Sequence, residues 1–282
     1  MLDPQEPGET LANEWIGTTL TAQPQPQLSI PDNTTLTTEK LSINKMSTRT
    51  GEGSRLALAR ASSNGTDNTA LYKDWAASYN ADLPADVYIA PTLTAKAALK
   101  FDSSAKGSIL DAGCGTGLVA EVLARGGAQS IDGLDLSPAM LTEAGKTGVY
   151  KKLFLGDLTR PVDIADERYD VVTCAGTFTH GHVGPSPALR EFVRIVKTNG
   201  IIVATIIDAI WESGGFKREI ETLEAEGLVK IVSADIIDYV QARGDHAVLI
   251  VLEKLSGQEQ QHKMQSSPAV LPTGQPLLRV KA

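Results

Sequence analysis

Cysteine is scarce in this chain, with two in 282 residues, Cys114 and Cys174. Each ends an apolar, strand-like run, so a disulfide framework is not what holds the fold together. Cations are outnumbered, 26 Lys and Arg against 34 Asp and Glu, for a net charge of -8. A polyanionic partner needs a basic face, so no nucleic-acid partner is expected. No apolar run reaches the ~18 residues that cross a bilayer, and Met1-Leu-Asp-Pro-Gln-Glu6 has neither the basic start nor the apolar stretch of a secretory leader. The expectation is a cytoplasmic protein with no membrane partner.

What is present is distributed unevenly. Hydrophobic residues make up 42% of the chain, a globular fraction, but they concentrate in one core domain over residues 68–256. Residues 1–67 are rich in Thr, Ser, Pro, Gln and Asn, as in Thr18-Thr-Leu-Thr-Ala-Gln-Pro-Gln-Pro-Gln27, without a sustained period of 2 or 3.6. Such a stretch cannot bury enough apolar surface to offset its ordering entropy and reads as a mostly disordered extension. Met46 is a second candidate start within it. Residues 257–282 are again polar and read as a loose tail.

From Thr69 the pattern changes. Leu71, Tyr72, Trp75 and Tyr79 recur at three- and four-residue steps, which predicts a helix over 69–81 with one aromatic face. A second helix is expected from near Tyr88, with Pro91 in its first turn, through Leu99. An alternation of strand and helix follows: strands 108–111, 130–135, 152–156, 169–175 and 200–207, with helices 118–125, 139–146, 186–196 and 216–226. Ser137-Pro138 opens one helix and Asn199-Gly200 closes another. Apolar strands alternating with helices predict a mostly parallel sheet covered on both faces. Two further strand-like runs, 228–235 and 246–253, predict a final antiparallel pair.

The centre of this pattern is Ile109-Leu-Asp-Ala-Gly-Cys-Gly-Thr-Gly117, a buried strand running into a glycine turn and then a helix. Gly113, Gly115 and Gly117 permit positive φ and let a ligand lie against the backbone where a helix begins. A dinucleotide-binding G-x-G-x-x-G turn needs its last glycine at 118, where Leu118 stands. Asp135 ends the second strand roughly 20 residues after the turn, where a carboxylate accepts from a ribose diol. Gly156-Asp157-Leu158 ends the third strand, offering a carboxylate for an exocyclic amine and an apolar cover for a base. Asp111, at the first strand end, can hold an α-amino group directly or through water. Three carboxylates at three successive strand ends suit a ligand with an amine, a diol and an adenine, not a polyphosphate.

On these residues, and on Ile131-Asp-Gly-Leu-Asp-Leu-Ser-Pro138, the chain resembles the class I S-adenosylmethionine-dependent methyltransferases over roughly residues 70–254. The segments Leu71-Tyr-Lys-Asp-Trp-Ala-Ala-Ser-Tyr79 and Cys174-Ala-Gly-Thr-Phe-Thr-His-Gly-His-Val183 resemble the Williams-Beuren region methyltransferase-like branch and its fungal relatives. The resemblance implies a Rossmann-like α/β fold, a seven-stranded, mostly parallel sheet with a reversed last strand and helices on both faces. It implies S-adenosyl-L-methionine as cofactor and S-adenosyl-L-homocysteine as product. Gly113, Gly115 and Gly117 would line the methionine part, Asp135 the ribose, and Asp157 with Leu158 the adenine. Tyr72, Trp75 and Tyr79 would close over the methionine end, and Asp111, Cys114, Leu136, Met140, Gly156 and Cys174 complete the candidate cofactor-binding set. His180 and His182, in the loop after the fourth strand, are the candidates for general base or substrate contact.

Some signatures are missing. No Asp/Asn-Pro-Pro-aromatic run follows the fourth strand, as enzymes acting on nucleic-acid amines have; the chain has Ala175-Gly-Thr-Phe178. No acidic ligand stands at Gly176-Thr177, and Asp208 alone makes a poor divalent site, so no metal is expected. The expected reaction is methyl transfer to oxygen or nitrogen of a small organic acceptor. The alternatives are methylation of a protein side chain and a cofactor-binding protein that methylates nothing, either a regulatory partner or a rearrangement catalyst. A nicotinamide-dependent dehydrogenase is a third reading. Monomer and homodimer stay open.

Overall fold

The computed structural model describes residues 71–84, 87–101, 107–241 and 244–259. The expectations for residues 1–67 and for the tail beyond 259 lie outside the described residues. Within them, residues 71–75 form helix α1, a 3-10 turn follows at Ala76–Ser78, then α2 (Tyr79–Asp82) and α3 (Ala90–Phe101). The alternating core is β1 (Ser108–Ala112), α4 (Leu118–Arg125), β2 (Ser130–Asp135), α5 (Pro138–Lys146), β3 (Tyr150–Leu155), β4 (Tyr169–Phe178), α6 (Ala188–Ile195) and β5 (Val196–Ile207). It ends with α7 (Asp208–Trp211), α8 (Phe216–Ala225), β6 (Val229–Val240) and β7 (Asp245–Lys254).

The seven strands form one sheet in the order β3-β2-β1-β4-β5-β7-β6. β1 pairs in parallel with β2 and β4, and β5 pairs antiparallel with β7, so β7 is the reversed strand. Side chains one residue apart point to opposite faces of a strand, and here they build two cores. Leu110, Leu134, Val172, Ile202 and Ile250 pack on one face under Leu189, Phe192, Phe216 and Ile220 of α6 and α8. Ile109, Ile131, Val171, Val203 and Val251 pack on the other, under Ala95 and Ala98 of α3 and Val119, Ala120 and Leu123 of α4. This is the three-layer arrangement the strand-helix alternation predicts.

A third, smaller cluster holds the N-terminal helices to the end of the sheet. Trp75, Leu83, Tyr88 and Ala90 pack with Tyr239, Val240 and Ala247 of β6 and β7. The expected helix over 69–81 is interrupted by the 3-10 turn. Within it the Trp75 and Tyr79 rings approach to 4.7 Å and Trp75 Nε1 donates to Asp82 Oδ2 at 2.9 Å. The expected stop at Asn199-Gly200 is corrected: α6 ends at Ile195 and the chain turns directly into β5. Four-residue α7 is too short to leave a periodic signature.

β1 is the switch point of the sheet, with β2 on one side and β4 on the other. The parallel strands therefore open their carboxyl ends on a shared edge, where such sheets bind ligands. Gly113 N–H and Cys114 N–H both donate to Leu134 O, at 2.7 and 3.0 Å, and tie the turn after β1 to the end of β2.

Candidate active site

The strand ends enclose a cavity of about 770 Å³, within the range of about 300 to 1,000 Å³ that small-molecule sites occupy. The glycine turn forms its floor. Gly113 has φ +70°, and a Cβ there would overlap Thr177 Oγ1. Gly115 has φ +54° and nothing within 4 Å of where its Cβ would stand. One glycine is required by protein packed against it; the other leaves backbone bare toward open space, which is the provision a ligand needs. Gly117, at φ +100°, starts α4 and faces Thr147 and Tyr150 instead of the cavity.

Asp135 projects from the end of β2 with both carboxylate oxygens held by backbone. Ser137 N–H donates to Oδ1 and Gly115 N–H to Oδ2, each at 2.8 Å. A carboxylate oxygen accepts more than one hydrogen bond, so each retains capacity for one hydroxyl of a vicinal diol, in a fixed orientation. Burial raises the Asp135 pKa, opposed by the N–H groups of Ser137, Gly115 and Leu136. Ser137 also caps α5, accepting from Met140 N–H at 3.4 Å, and so sets Met140 in the wall.

Asp157, Gly156 and Leu158 line the same cavity from the end of β3. Asp157 Oδ1 accepts from Thr159 N–H at 2.9 Å and from its hydroxyl at 2.6 Å, and Arg160 Nε lies 3.5 Å from Oδ2. A side chain at Gly156 would press within 2.8 Å of Leu134 Cδ1. Tyr72, Tyr79, Cys114, Leu136 and His182 complete the sequence-predicted residues found in the wall.

Five others lie outside it. Asp111 is corrected first, because the expected meeting of three carboxylates becomes a meeting of two. Its side chain is fully buried beneath the floor, accepting from Tyr150 Oη at 2.8 Å and Thr173 Oγ1 at 3.1 Å. Trp75 is buried behind Tyr72, with which it stacks at 5.9 Å, and Cys174 is sealed in the core, its thiol pushed up to about 12 by burial. Gly117 shapes the turn without facing the cavity. His180 is exposed and outside the wall; its carbonyl accepts from His182 Nδ1 at 2.8 Å.

Burial raises the Asp111 pKa to about 6, opposed by the Tyr150 and Thr173 hydroxyls. The folded state then binds this proton more tightly than the unfolded one, so its stabilising effect is present at low pH and lost as pH rises from about 4 to about 6. Against Asp111→Asn, wild-type unfolding free energy is expected to fall by on the order of 2 kcal/mol between pH 4.5 and pH 7. Denaturant titrations of both proteins at pH 4.5 and 7 check it; parallel changes in the two contradict it.

His182 half-emerges from the wall, with Nδ1 2.8 Å from both the His180 carbonyl and Thr179 Oγ1, and the acceptor-only carbonyl favours one tautomer. The His180 carbonyl can only accept, so Nδ1 carries the hydrogen. Nε2 is therefore bare, and Tyr72 Oη donates to it at 3.2 Å. Burial lowers the His182 pKa below its ordinary 6.5, against the effect of the His180 carbonyl, leaving a neutral imidazole at pH 7. Burial raises the Tyr72 pKa well above its ordinary value, keeping it a phenol.

Sequence reading missed three wall residues near this pair: Tyr88, Gly176 and Thr177. Gly176 has φ +78°, and a Cβ there would overlap Tyr88 Oη, which lies 3.2 Å from Tyr239 Oη. Gly176 and Thr177 were findable, since the strand-end rule that singles out Asp135 and Asp157 applies equally to β4. Tyr88 was not, because β6 brings it into place from 151 positions away.

The sheet order, the glycine turn after β1 and the clamped carboxylate after β2 agree with the resemblance to class I S-adenosylmethionine-dependent methyltransferases, and the comparisons with known proteins point the same way. Residues 110–204 match the family model described as a methyltransferase domain. Among curated relatives, human methyltransferase-like protein 27 is 33% identical over 138 residues, covering 48% of this chain and 56% of that protein. The ubiquinone biosynthesis O-methyltransferase of Pseudomonas savastanoi pv. phaseolicola is 32% identical over 107 residues, covering 36% of this chain and 44% of that protein. The chain thus spans about half the length of these relatives. A crystal structure of a Methanococcus maripaludis protein named for S-adenosyl-L-methionine-dependent methyltransferases superposes with a TM-score of 0.49 at 20% identity, covering 67% of this chain and 94% of that one. No group of three or more His, Cys, Asp or Glu side chains poised to hold a metal occurs among the described residues, and no described helix is long and apolar enough to cross a membrane.

Proposed function

We propose that the protein transfers the methyl group of S-adenosyl-L-methionine to an oxygen or nitrogen of a small organic molecule. The observation that carries this reading is Asp135, each of whose oxygens is aligned by a backbone N–H, in the same cavity as a neutral histidine. Asp135 would take the ribose diol, Asp157 and Leu158 the adenine, and the bare backbone at Gly115 the methionine part. When bound, the cofactor supplies an activated methyl group on a sulfonium. The Tyr72 and Tyr79 rings at that end suit a cation, which aromatic faces attract.

The protein's own share of the work is positioning and proton management. Holding acceptor and methyl carbon in line contributes up to about 7–11 kcal/mol. The aromatic helices α1 and α2 cover the site, with Thr116 Oγ1 donating to Asn80 Oδ1 at 2.6 Å across the gap between turn and cover. His182 Nε2 supplies the base. The ubiquinone O-methyltransferases among the relatives, whose name specifies methylation of an oxygen, favour oxygen as the attacking atom. Two buried free thiols suit the reducing cytoplasm.

The test is calorimetric titration with S-adenosyl-L-methionine and S-adenosyl-L-homocysteine, followed by assay of S-adenosyl-L-homocysteine formation from S-adenosyl-L-methionine with phenols and aromatic amines. Saturable binding of both ligands and turnover of an acceptor are expected. Absence of binding contradicts the reading, and binding without turnover across both acceptor classes selects the non-methylating alternative. The rate is expected to rise with pH to a plateau through a pKa below 6.5, and His182→Ala to abolish that limb; an unchanged profile removes His182 as base.

A further inference from the structure

The proposed base, His182 Nε2, already has a partner 3.2 Å away in Tyr72 Oη. Its only lone pair, on Nε2, is engaged by the hydroxyl of Tyr72, which stands in the cavity wall. For an acceptor hydroxyl in this cavity, Tyr72 Oη is the outer end of a two-member chain. The other end of the chain is anchored: Nδ1 lies 2.8 Å from both the His180 carbonyl and Thr179 Oγ1. Tyr72 is itself fixed by stacking on buried Trp75, at 5.9 Å and an interplanar angle of 13°. A phenol held so rigidly between a base and a reaction cavity is a proton carrier by position.

We propose that Tyr72 is a catalytic residue that relays the acceptor's proton to His182, and that the acceptor is a neutral hydroxyl compound of the phenol class. This rests on the methyltransferase reading above. As the acceptor oxygen bonds to the methyl carbon, the carbon–sulfur bond breaks and its electron pair stays on sulfur. The acceptor's proton passes to Tyr72 Oη, and the proton Tyr72 carried passes to His182 Nε2. The products are a methyl ether, a neutral thioether and an imidazolium that discharges to solvent along the exposed His180–Gly181 edge. The arrangement selects acceptors still protonated at neutral pH, because a carboxylate has no proton to deliver. Tyr79 and Tyr88 stand in the same wall.

The experiment compares wild type with Tyr72→Phe and His182→Gln on a series of para-substituted phenols whose own pKa values run from well above to below the assay pH. General acid–base assistance contributes about 10²–10⁴-fold. Tyr72→Phe is therefore expected to lower kcat by about 10²-fold or more for the least acidic phenols and by less than about 3-fold for one already ionised, with His182→Gln following the same trend. Independently of turnover, removing the hydroxyl that contacts Nε2 is expected to shift the His182 pKa by about 0.4–1 unit in an NMR titration of the free protein. An equal loss of kcat across the series, or an unmoved His182 pKa, overturns the relay. Wild-type binding of S-adenosyl-L-methionine with no phenol methylated overturns the acceptor class while leaving the cofactor site standing. Loss of wild-type cofactor binding instead removes the reading on which the relay depends.

Discussion

Asp135→Ala is expected to weaken S-adenosyl-L-methionine binding by at least about 10²-fold while leaving the fold intact. Hydrogen bonds to a charged group contribute about 1.5–3 kcal/mol each, and a diol placed on both oxygens loses two of them. At about 1.4 kcal/mol per decade, the loss spans roughly 10²–10⁴-fold. The fold tolerates the change because Gly113 and Cys114 remain tied to Leu134 O without the carboxylate. Asp135→Asn is expected to be nearly as harmful, since its amide would turn a donor toward the N–H of either Gly115 or Ser137. Calorimetry measures the affinity, and thermal unfolding confirms that it is read on folded protein. Affinity within about 3-fold of wild type would remove Asp135 from the cofactor site.

The second large effect is expected from Gly113→Ala, and it falls on stability and binding together. The left-handed conformation at φ +70° costs an alanine about 1–2 kcal/mol, and its Cβ would overlap Thr177 Oγ1. The turn and the end of β4 cannot both stay in place. A loss of more than about 3 kcal/mol by denaturant unfolding is expected, with cofactor binding abolished. A second substitution separates the two causes. Thr177→Ala removes the overlapping oxygen but leaves the backbone conformation unfavourable, so the double variant should recover part of the loss, with a non-additive coupling above about 0.5 kcal/mol. Strict additivity would show that Thr177 does not constrain the turn.

Local chemistry made most of the fold readable. Apolar runs of β1, β2, β4 and β5 and the helical periods between them are local properties, and the glycine spacing that excluded a dinucleotide turn needed nothing beyond nine residues of sequence. Cavity-lining positions followed from one rule, that parallel strands open at their carboxyl ends, which is why Asp135, Gly156, Asp157 and Leu158 were within reach. Asp111 shows where the rule stops. A residue at a strand end points either up into the cavity or down beneath it, and which applies depends on Tyr150 and Thr173, distant in sequence, supplying hydroxyls below. Trp75 illustrates the same limit on a helix. Its aromatic stripe was legible, but only packing against Tyr239 and Val240 of the last hairpin decides that Tyr72 and Tyr79 face the site while Trp75 backs them. His182 could be separated from His180 only by seeing which ring turns inward.

The most direct measurement of the central claim is a crystal structure of the protein with S-adenosyl-L-homocysteine. Both ribose hydroxyls are expected within hydrogen-bond distance of Asp135 Oδ1 and Oδ2, the adenine beside Asp157 and Leu158, and the sulfur near Gly115 with Tyr72 and His182 beyond it. A ligand bound elsewhere, or bound in this cavity with Asp135 free of its ribose, would contradict the account.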